Sequence, residues 1–224
     1  MPNKTSGHSI DERGFATRAI RVGQDACSAT GATIVPVYQT ATFTLPAVGA
    51  KKGFDYSRTA NPTRSALEAQ LAALEGARFG CAFGSGMAAV AGVAALLASE
   101  DHIVATRDIY GGTHRLFTAV LPKYGISTTF VDFCDIDAVR ASIRPDTKLF
   151  WIETPSNPLL KLTDIAAIAS LNRPGQIVAA DNPFASPYFQ QPLACGADVV
   201  VHSTTKYLSG HSDVVGGIVI TGDP

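Results

Sequence analysis

The chain has 224 residues and an apolar content of 46%, which is enough to fold around a hydrophobic core. Its 18 basic and 19 acidic residues are scattered, which argues against nucleic acid and anionic membranes as partners and favours small molecules or further copies of the chain. The longest run of small apolar residues, 87–98, is too short to span a bilayer, and the N-terminus lacks a hydrophobic signal region.

The four cysteines lie far apart without C-x-x-C spacing, at Cys27, Cys81, Cys134 and Cys195. This spacing argues against a structural zinc site and against a disulfide framework, and we predict no metal site. We expect the cysteines to be reduced and mostly buried in the core, and the chain to be cytoplasmic.

The N-terminal quarter of the chain, residues 1 to about 55, shows little periodicity. Within it, the stretch 31–38 is typical of an extended arm rather than of a self-contained domain. The pattern changes at Asn61, after which Leu67, Leu71 and Leu74 recur at helical spacing and Gly76 provides a C-terminal stop. A helix therefore follows the arm.

Beyond Gly76, short apolar runs alternate with helical segments. The predicted strands span 79–83, 103–105, 128–131, 149–152, 177–180, 199–202 and 218–220. The predicted helices lie near 87–97, 113–124, 135–143 and 164–171. This alternation implies right-handed crossovers and a mostly parallel sheet flanked by helices, which is the α/β class.

Residues suited to ligand binding follow several of the predicted strands. They are the loop Gly84-Ser85-Gly86-Met87, Tyr110, Asn157, Asp181 and the segment Ser203-Thr204-Thr205-Lys206. Because parallel sheets bind ligands at the carboxyl ends of their strands, we expect these residues to converge on one crevice.

Lys206 is the most informative of these residues. The apolar run 197–202 predicts a buried strand that delivers one amine, flanked by hydroxyls, to the edge of the sheet. Desolvation by apolar neighbours would disfavour the ammonium form and leave a nucleophile suited to Schiff-base chemistry, and the adjacent hydroxyls suggest a phosphate. The alternative is an ordinary solvated lysine at a strand end.

The loop Gly84-Ser85-Gly86-Met87 has three interpretations. It lies between a strand and an Ala-rich helix, so its backbone N–H groups can hold a phosphate at the positive end of that helix. With Ala89 it also fits the G-x-G-x-x-A dinucleotide fingerprint, and Asp108 after the next strand is then a candidate for the ribose. That interpretation assigns no role to Asp181 or Lys206. In the third, the glycines only permit close packing of strand and helix.

Asp181 ends an apolar strand, where a carboxylate is costly unless it is paired. A protonated pyridine nitrogen is a suitable partner, because such a charge-assisted hydrogen bond is worth roughly 1.5–3 kcal/mol. The alternative is that Asp181 forms a turn with Asn182 and Pro183.

Four further candidates each have an ordinary structural alternative. Tyr110 precedes two glycines and can stack on a planar ring, or belong to the core. Asn157 lies in a proline-fixed loop where its amide can reach a ring hydroxyl, although turn chemistry explains the composition equally well. Tyr56 and Arg58 suit a phosphate, or are only polar loop residues. Together with the amine and the acid, they describe a flat ring with a phosphate, an aldehyde and a nitrogen, which fits pyridoxal phosphate.

Several motifs occur in order between about Thr17 and the last residues. They are Tyr56-Ser57-Arg58 with Asn61-Pro62-Thr63, Gly84-Ser85-Gly86-Met87, Tyr110-Gly111-Gly112-Thr113, Glu153-Thr154-Pro155-Ser156-Asn157-Pro158, and Ser203-Thr204-Thr205-Lys206-Tyr207 with Gly210-His211-Ser212-Asp213. As a set they resemble the Cys/Met-metabolism (trans-sulfuration) family of pyridoxal-phosphate enzymes, most closely its cystathionine γ-synthases and γ-lyases. The set is specific where each motif alone is not.

The resemblance implies a fold of the aspartate-aminotransferase type (fold type I) with pyridoxal phosphate as cofactor. Lys206 would bind the cofactor aldehyde and Asp181 its pyridine nitrogen. Tyr110 would stack on the ring and assist Lys206 in proton transfer, and Asn157 would lie near the ring oxygen. The residues implied to hold the phosphate are Gly86, Met87, Ser203 and Thr205.

The resemblance also implies how copies of the chain assemble. In this family, residues matching Tyr56 and Arg58 reach the phosphate of a neighbouring subunit, which implies shared active sites in a homotetramer built as a dimer of dimers. Residues 1–55 would then be an N-terminal arm that contacts a neighbouring subunit, and 56–224 the cofactor-binding large domain. The smaller C-terminal domain of family members, with its arginine for the substrate carboxylate, is expected to be missing.

The implied activity is γ-elimination or γ-replacement on cystathionine or activated homoserine in sulfur amino-acid metabolism. The alternatives are a chain that binds cofactor without turnover, because the substrate carboxylate site is missing, and a nucleotide-dependent oxidoreductase. One departure from the family is Pro183, where threonine is common. Proline removes a hydroxyl and a backbone donor beside Asp181.

Overall fold

The computed structural model describes residues 13–50 and 53–223, and its centre is one sheet of seven strands. The strands are β1 (Phe79–Phe83), β2 (His102–Thr106), β3 (Ser127–Val131), β4 (Thr147–Glu153), β5 (Ile177–Asp181), β6 (Val199–His202) and β7 (Gly217–Thr221). Every predicted strand is confirmed, with ends that differ by at most two residues.

The strand order across the sheet is β1-β7-β6-β5-β4-β2-β3. Neighbouring strands from β6 to β3 pair in parallel, whereas β7 runs antiparallel to both β1 and β6. All strands except β7 therefore have their carboxyl ends at the same edge of the sheet. The prediction of a mostly parallel α/β sheet is confirmed, with β7 as the exception.

Helices cover the sheet and connect its strands. The α-helices are α1 (Phe15–Arg21), α2 (Pro62–Leu74), α3 (Gly86–Ala94), α4 (Gly111–Arg115), α5 (Ile136–Ser142), α6 (Ile165–Ala169) and α7 (Ser186–Phe189). A π-helical turn (Leu116–Val120) and a 3-10 turn (Leu121–Tyr124) extend α4, and another 3-10 turn spans Pro192–Cys195. The predicted helices are confirmed, whereas α1 and α7 lie outside the predictions. Within the described ranges, no helix is both long and apolar enough to cross a bilayer.

The start of α2 follows directly from its sequence. Asn61 caps the first turn through its side chain, and Pro62 occupies the first helical position. Of the three leucines that predict the helix, Leu71 and Leu74 are buried, whereas Leu67 is 41% exposed. The buried face of α2 also contains Ala66, Ala69, Ala72 and Ala73, so the leucine spacing alone does not define it.

Both faces of the sheet carry a packed core. In β4, Leu149 and Trp151 pack on one face against α3 and the π-helical turn, while Phe150 and Ile152 pack on the other face against α5 and α6. All four side chains are fully buried. A third cluster joins α2 to β6 and β7. The result is a three-layer sandwich in which both faces of the central strands are removed from water.

The N-terminal part of the chain contrasts with this sandwich. In the described part of residues 22–61, the only pairing between strands is an isolated bridge of Thr42 with Tyr56. The segment 31–38, predicted to be an extended arm, has no regular structure and is attached to α2 through Thr63, whose hydroxyl accepts from the N–H of Tyr38 and donates to the carbonyl of Pro36. Side-chain and backbone hydrogen bonds, rather than a core, order this part of the chain.

The cysteines differ from the expectation in their burial. All four are free, but Cys81, Cys134 and Cys195 are exposed and Cys27 is only partly buried. The prediction that most of them lie in the core is wrong. Cys81 lies on the edge strand β1, and Cys134 and Cys195 lie in connections between strands, so none occupies a central strand.

Candidate active site

A cavity of about 220 Å³ lies at the edge of the sheet where the parallel strands have their carboxyl ends. The predicted site residues that line it are Gly86, Met87, Tyr110, Asn157, Asp181, Ser203, Thr205 and Lys206. The structure brings these residues together from the end of β5 and from the segments that follow β1, β2, β4 and β6, while their individual roles stay predictions.

The loop after β1 is shaped by close contacts that only glycine permits. Ser85 caps α3 by accepting a hydrogen bond from the backbone N–H of Ala88 at 3.0 Å. A side chain at Gly86 would place its Cβ 2.7 Å from the Cβ of Ser203, and one at Gly217 would collide with the carbonyl oxygen of Ser85. The start of α3 therefore lies directly against the segment after β6, and its first N–H groups suit an anion.

Lys206 stands in the turn that follows β6. The strand is anchored by His202, whose Nε2 lies 2.6 Å from the Glu75 carboxylate in a fully buried pair. The Lys206 side chain is exposed and makes no hydrogen bond or ion pair with any described residue. Its predicted place after a buried strand is confirmed, but the expected desolvation of its amine is wrong for this chain, because the turn carries it out of the apolar layer.

The hydroxyls of Ser203 and Thr205 are used differently. Thr205 Oγ1 accepts a hydrogen bond from the N–H of Gly216 at 3.0 Å and lies 3.3 Å from the carbonyl oxygen of the same residue. This contact ties the Lys206 turn to the loop before β7. The Ser203 hydroxyl has no partner among the described residues and faces Gly86, so it is available to a ligand.

Asp181 ends β5 and is 6% exposed. Among the described residues, none donates a hydrogen bond to its carboxylate. Burial raises the pKa of Asp181 well above its usual range, and the neighbouring charge of Glu153 raises it further. Because a buried acid without a partner is costly, this carboxylate is suited to a cationic donor carried by a ligand.

Glu153 lines the cavity and is the first residue of the motif 153–158, but no role was predicted for it. It ends β4, is 1% exposed, and pairs with Asp181 in the parallel register of β4 and β5. Burial raises the pKa of Glu153 to about 7, against the opposing effect of hydrogen bonds from the N–H groups of Tyr110 and Asn157. The sequence holds one signal for it, because extending the predicted strand 149–152 by one residue places an acid at the same edge as Asp181.

Tyr110 precedes α4 and is 47% exposed, so it is not a core residue. A Cβ on Gly112 would lie 2.5 Å from the Tyr110 ring and 2.9 Å from the sulfur of Met87. The lack of a side chain at Gly112 therefore lets the ring lie close to the helix backbone. Tyr110 lines the cavity, and its ring suits stacking on a planar ligand.

Asn157 lies in the connection that follows β4. The N–H of Ser156 donates to the carbonyl of Lys161, which closes this loop on itself. The side-chain amide of Asn157 is half-buried and has no hydrogen-bond partner among the described residues. It is therefore available to a polar group of a ligand in the cavity.

Tyr56 and Arg58 lie outside the cavity. Both are exposed, and the guanidinium carbon of Arg58 lies 5.0 Å from the centre of the Tyr56 ring. Arg64 orders the backbone of this segment by donating to the carbonyls of Ser57 and Thr59. A single chain does not bring these two residues to the predicted phosphate site, and their contact with a neighbouring subunit stays a prediction.

The nucleotide-binding interpretation is contradicted by the topology. The strand before the glycine loop, β1, is an edge strand that pairs only with the antiparallel β7, whereas the dinucleotide fingerprint follows an interior strand of a parallel unit. Asp108 accepts hydrogen bonds from the hydroxyl of Ser156 and from the N–H of Leu159. It holds the loop after β4 and does not line the cavity.

Comparison with known proteins agrees with the motif resemblance. A sequence profile described as Cys/Met metabolism PLP-dependent enzyme matches residues 16–224. The chain is 54% identical over 209 residues to the probable cystathionine gamma-synthase of Herpetosiphon aurantiacus, and 54% identical over 193 residues to the cystathionine gamma-lyase of Bacillus subtilis. The crystal structure of metB from Corynebacterium glutamicum matches with a TM-score of 0.94 at 46% sequence identity.

These matches cover most of this chain but only part of each relative. They span 93% and 86% of the chain, and 66% and 51% of the synthase and the lyase. The structural match covers 96% of the chain and 57% of the metB structure, and it confirms the predicted fold type. The profile match covers nearly the whole length of the chain. The chain therefore belongs to the family of Cys/Met metabolism PLP-dependent enzymes, where PLP stands for pyridoxal phosphate.

Proposed function

We propose that the protein to which this chain belongs is a trans-sulfuration enzyme, which uses PLP to act on cystathionine or an activated homoserine by γ-elimination or γ-replacement. The observation that carries the proposal is that Lys206, Asp181 and the glycine loop before α3 line one cavity. An amine, an acid and an anion site are the groups that this cofactor requires of a protein. The names of the relatives, one a γ-synthase and one a γ-lyase, suggest the substrate class.

The residues present fit the cofactor. The N–H groups at Gly86 and Met87 open α3 and suit a phosphate, and Ser203 adds an unbonded hydroxyl beside them. The buried Asp181 carboxylate suits a protonated ring nitrogen, because no described residue neutralises it. The unbonded amide of Asn157 suits a ring hydroxyl. The cavity thus offers a matching group for each polar part of PLP.

When bound, PLP supplies an aldehyde that reacts with amines and a ring that withdraws electrons from a bound amino acid. Lys206 Nζ would hold the cofactor and, once displaced by the substrate amine, accept and return protons at the substrate carbons. Its exposed and unpaired position leaves the side chain free to move between these tasks. Tyr110, which lines the same cavity, would assist with its phenol group.

We also propose that active sites are shared between copies of the chain in a cytoplasmic homotetramer built as a dimer of dimers. Tyr56 and Arg58 support this proposal, because they are exposed and lie outside the cavity of their own chain. In this arrangement residues 1–55 form an arm that contacts a neighbouring subunit, and 56–224 form the cofactor-binding large domain.

The cofactor assignment is tested by incubating the chain with PLP, reducing it with borohydride and mapping the adduct by peptide mass spectrometry. We expect the mass of the reduced cofactor on the peptide that contains Lys206, and no such adduct in Lys206→Ala. Lys123→Ala is the matched control, because Lys123 is exposed and lies away from the cavity. An unlabelled Lys206 in the wild-type chain would overturn the assignment.

The activity is tested on wild-type protein that is loaded with PLP and not treated with borohydride, with the two substrates. Release of an oxo acid and ammonia from cystathionine indicates elimination, and formation of a thioether from activated homoserine and a thiol indicates replacement. Failure with both substrates would contradict the proposed activity while leaving the cofactor assignment intact.

A further inference from the structure

We propose that Glu153 is a positioning residue of the cofactor site, which holds the backbone of Tyr110 and Asn157 so that both side chains face the cavity. This inference rests on the proposed function, because it concerns how the chain presents these two side chains to PLP.

Glu153 joins two loops with a single carboxylate. Its Oε2 accepts a hydrogen bond from the N–H of Tyr110 at 2.7 Å, and its Oε1 accepts one from the N–H of Asn157 at 2.8 Å. Tyr110 belongs to the connection after β2 and Asn157 to the connection after β4, and these strands are neighbours in the sheet. One buried side chain therefore determines the separation of the two backbones at the cavity.

The two N–H groups depend on this acid. No side-chain bond from Tyr110 caps α4, and Glu153 accepts from the N–H of Tyr110, the N-cap residue, as the glutamate of a capping box does. The N–H of Asn157 likewise has Glu153 as its hydrogen-bond acceptor among the described residues. Removing the carboxylate would leave two half-buried N–H donors without a hydrogen-bond partner. An unpaired donor costs its desolvation free energy in addition to the lost bond.

A neutral side chain cannot replace this carboxylate. Glutamine has one acceptor oxygen and presents an NH₂ group in place of the other, whereas both oxygens of Glu153 accept. Aspartate keeps both oxygens but is one methylene shorter, so it cannot reach both loops at these distances. The acid is also placed beside Asp181, a costly juxtaposition of two buried carboxyl groups. The need to accept hydrogen bonds from two backbone N–H groups explains why position 153 carries an acid.

The first test uses the cofactor-free chain, so its result does not depend on the proposed function. Hydrogen exchange of backbone amides is compared between wild type and the isosteric Glu153→Gln. We expect the amide of Tyr110, of Asn157 or of both to exchange at least about tenfold faster in the variant, because one acceptor is lost. Unchanged exchange at both amides would overturn the proposal.

Asp135→Asn is the matched control for this comparison. Asp135 also accepts from two backbone N–H groups, those of Asp137 and Ala138, but it caps α5 outside the cavity. Both of these bonds go to Oδ1, which asparagine retains, so this substitution should leave exchange at α5 close to wild type and the amides of Tyr110 and Asn157 unchanged.

The second test measures PLP affinity by equilibrium dialysis and by the absorbance of the bound cofactor. We expect Glu153→Gln to weaken binding about tenfold and to shift the absorbance, since Tyr110 and Asn157 are displaced. Loss of the Glu153 charge by itself favours the ionised form of Asp181, which would strengthen the binding of a cationic ring. Weaker binding in the variant therefore points to displacement of the two loops. Affinity within twofold of wild type would overturn the proposal.

Glu153→Asp separates reach from charge and provides a second variant. We expect it to weaken PLP binding as Glu153→Gln does, and wild-type affinity in this variant would overturn the proposal. If the wild-type chain forms no adduct at Lys206, the proposed function fails, and the exchange comparison still decides whether Glu153 holds the two loops.

Discussion

The cavity edge and the segment around Tyr56 and Arg58 carry side chains suited to the same kind of ligand, in opposite environments. At the cavity edge, Asp181 and Glu153 are buried at the ends of strands that lie in the centre of the sandwich. Tyr56 and Arg58 are exposed, contact each other and lie outside the cavity. The chain therefore builds its cavity from its own core and presents a second polar surface outward.

Both regions nevertheless have an ordered backbone. Asn61 donates to the carbonyl of Tyr38 and to the hydroxyl of Ser57, and Arg64 donates to carbonyls of the same loop. Ordering an exposed loop costs conformational entropy that solvent contacts do not return. An ordered backbone alone therefore does not identify the ligand site. Burial and unpaired polar groups distinguish the cavity from the outer segment.

Of the substitutions that distinguish the cavity from the segment around Tyr56 and Arg58, the one at Asp181 is expected to have the largest effect. Asp181→Asn removes the negative partner of a protonated ring nitrogen, a contact of about 1.5–3 kcal/mol, so the affinity for PLP should fall about 10- to 100-fold. Equilibrium dialysis measures the change. Asp164→Asn is the control, because Asp164 caps α6 away from the cavity and should leave the affinity unchanged. Equal affinity in Asp181→Asn and wild type would contradict the role of Asp181.

The same substitution should stabilise the cofactor-free chain. A carboxyl group whose pKa is raised by folding contributes stability that is complete below its unfolded pKa and is lost as pH rises through the folded value. Burial raises the pKa of Asp181 in this way, and that of Glu153 from 4.5 to about 7. Asp181→Asn should therefore exceed wild type in stability by about 1 to 3 kcal/mol at pH 8, and by less at pH 5.

Thermal unfolding of both chains at pH 5 and pH 8 measures this difference. Comparing the variant with wild type at each pH cancels other groups that titrate in this range, such as His102, whose pKa burial lowers. If Asp181→Asn gained more stability over wild type at pH 5 than at pH 8, this would contradict a raised pKa for the buried carboxyl group of Asp181.

A similar contrast exists within the glycine loop. Gly86→Ala would place a Cβ 2.7 Å from Ser203, so we expect a loss of about 1 to 3 kcal/mol in the free energy of unfolding together with weaker PLP binding. Gly84→Ala is the control, because an added Cβ at Gly84 meets no atom within 4 Å. Urea unfolding measures both variants, and equal stability would show that the loop yields to accommodate the methyl group.

The smallest effect is expected at Arg58. In dilute solution, where copies of the chain are separated, Arg58→Gln should leave PLP affinity unchanged, because Arg58 lies outside the cavity of its own chain. At concentrations where copies associate, the same variant should bind PLP more weakly than wild type. Dialysis at both concentrations, with sedimentation to record association, distinguishes the cases. A loss of affinity in the separated chains would mean that Arg58 reaches its own cavity.

Much of the fold follows from local sequence patterns. The strands were predictable because β4, β5 and β6 are apolar runs bounded by polar or turn residues, and α2 because Asn61 and Pro62 are strong starting signals. The cavity position followed from the rule that parallel strands bind ligands at their carboxyl ends, which placed Asp181 and Lys206 at one edge.

What the amino-acid sequence determined by itself was therefore the succession of elements and the family motifs, because periodicity, capping and turn chemistry act over a few neighbouring residues. Only the tertiary structure decided that β7 runs antiparallel beside β1, that Glu153 joins two loops next to Asp181, and that Lys206 is exposed. These features depend on which distant segments pair and on how much solvent reaches each side chain, and local patterns do not encode either quantity.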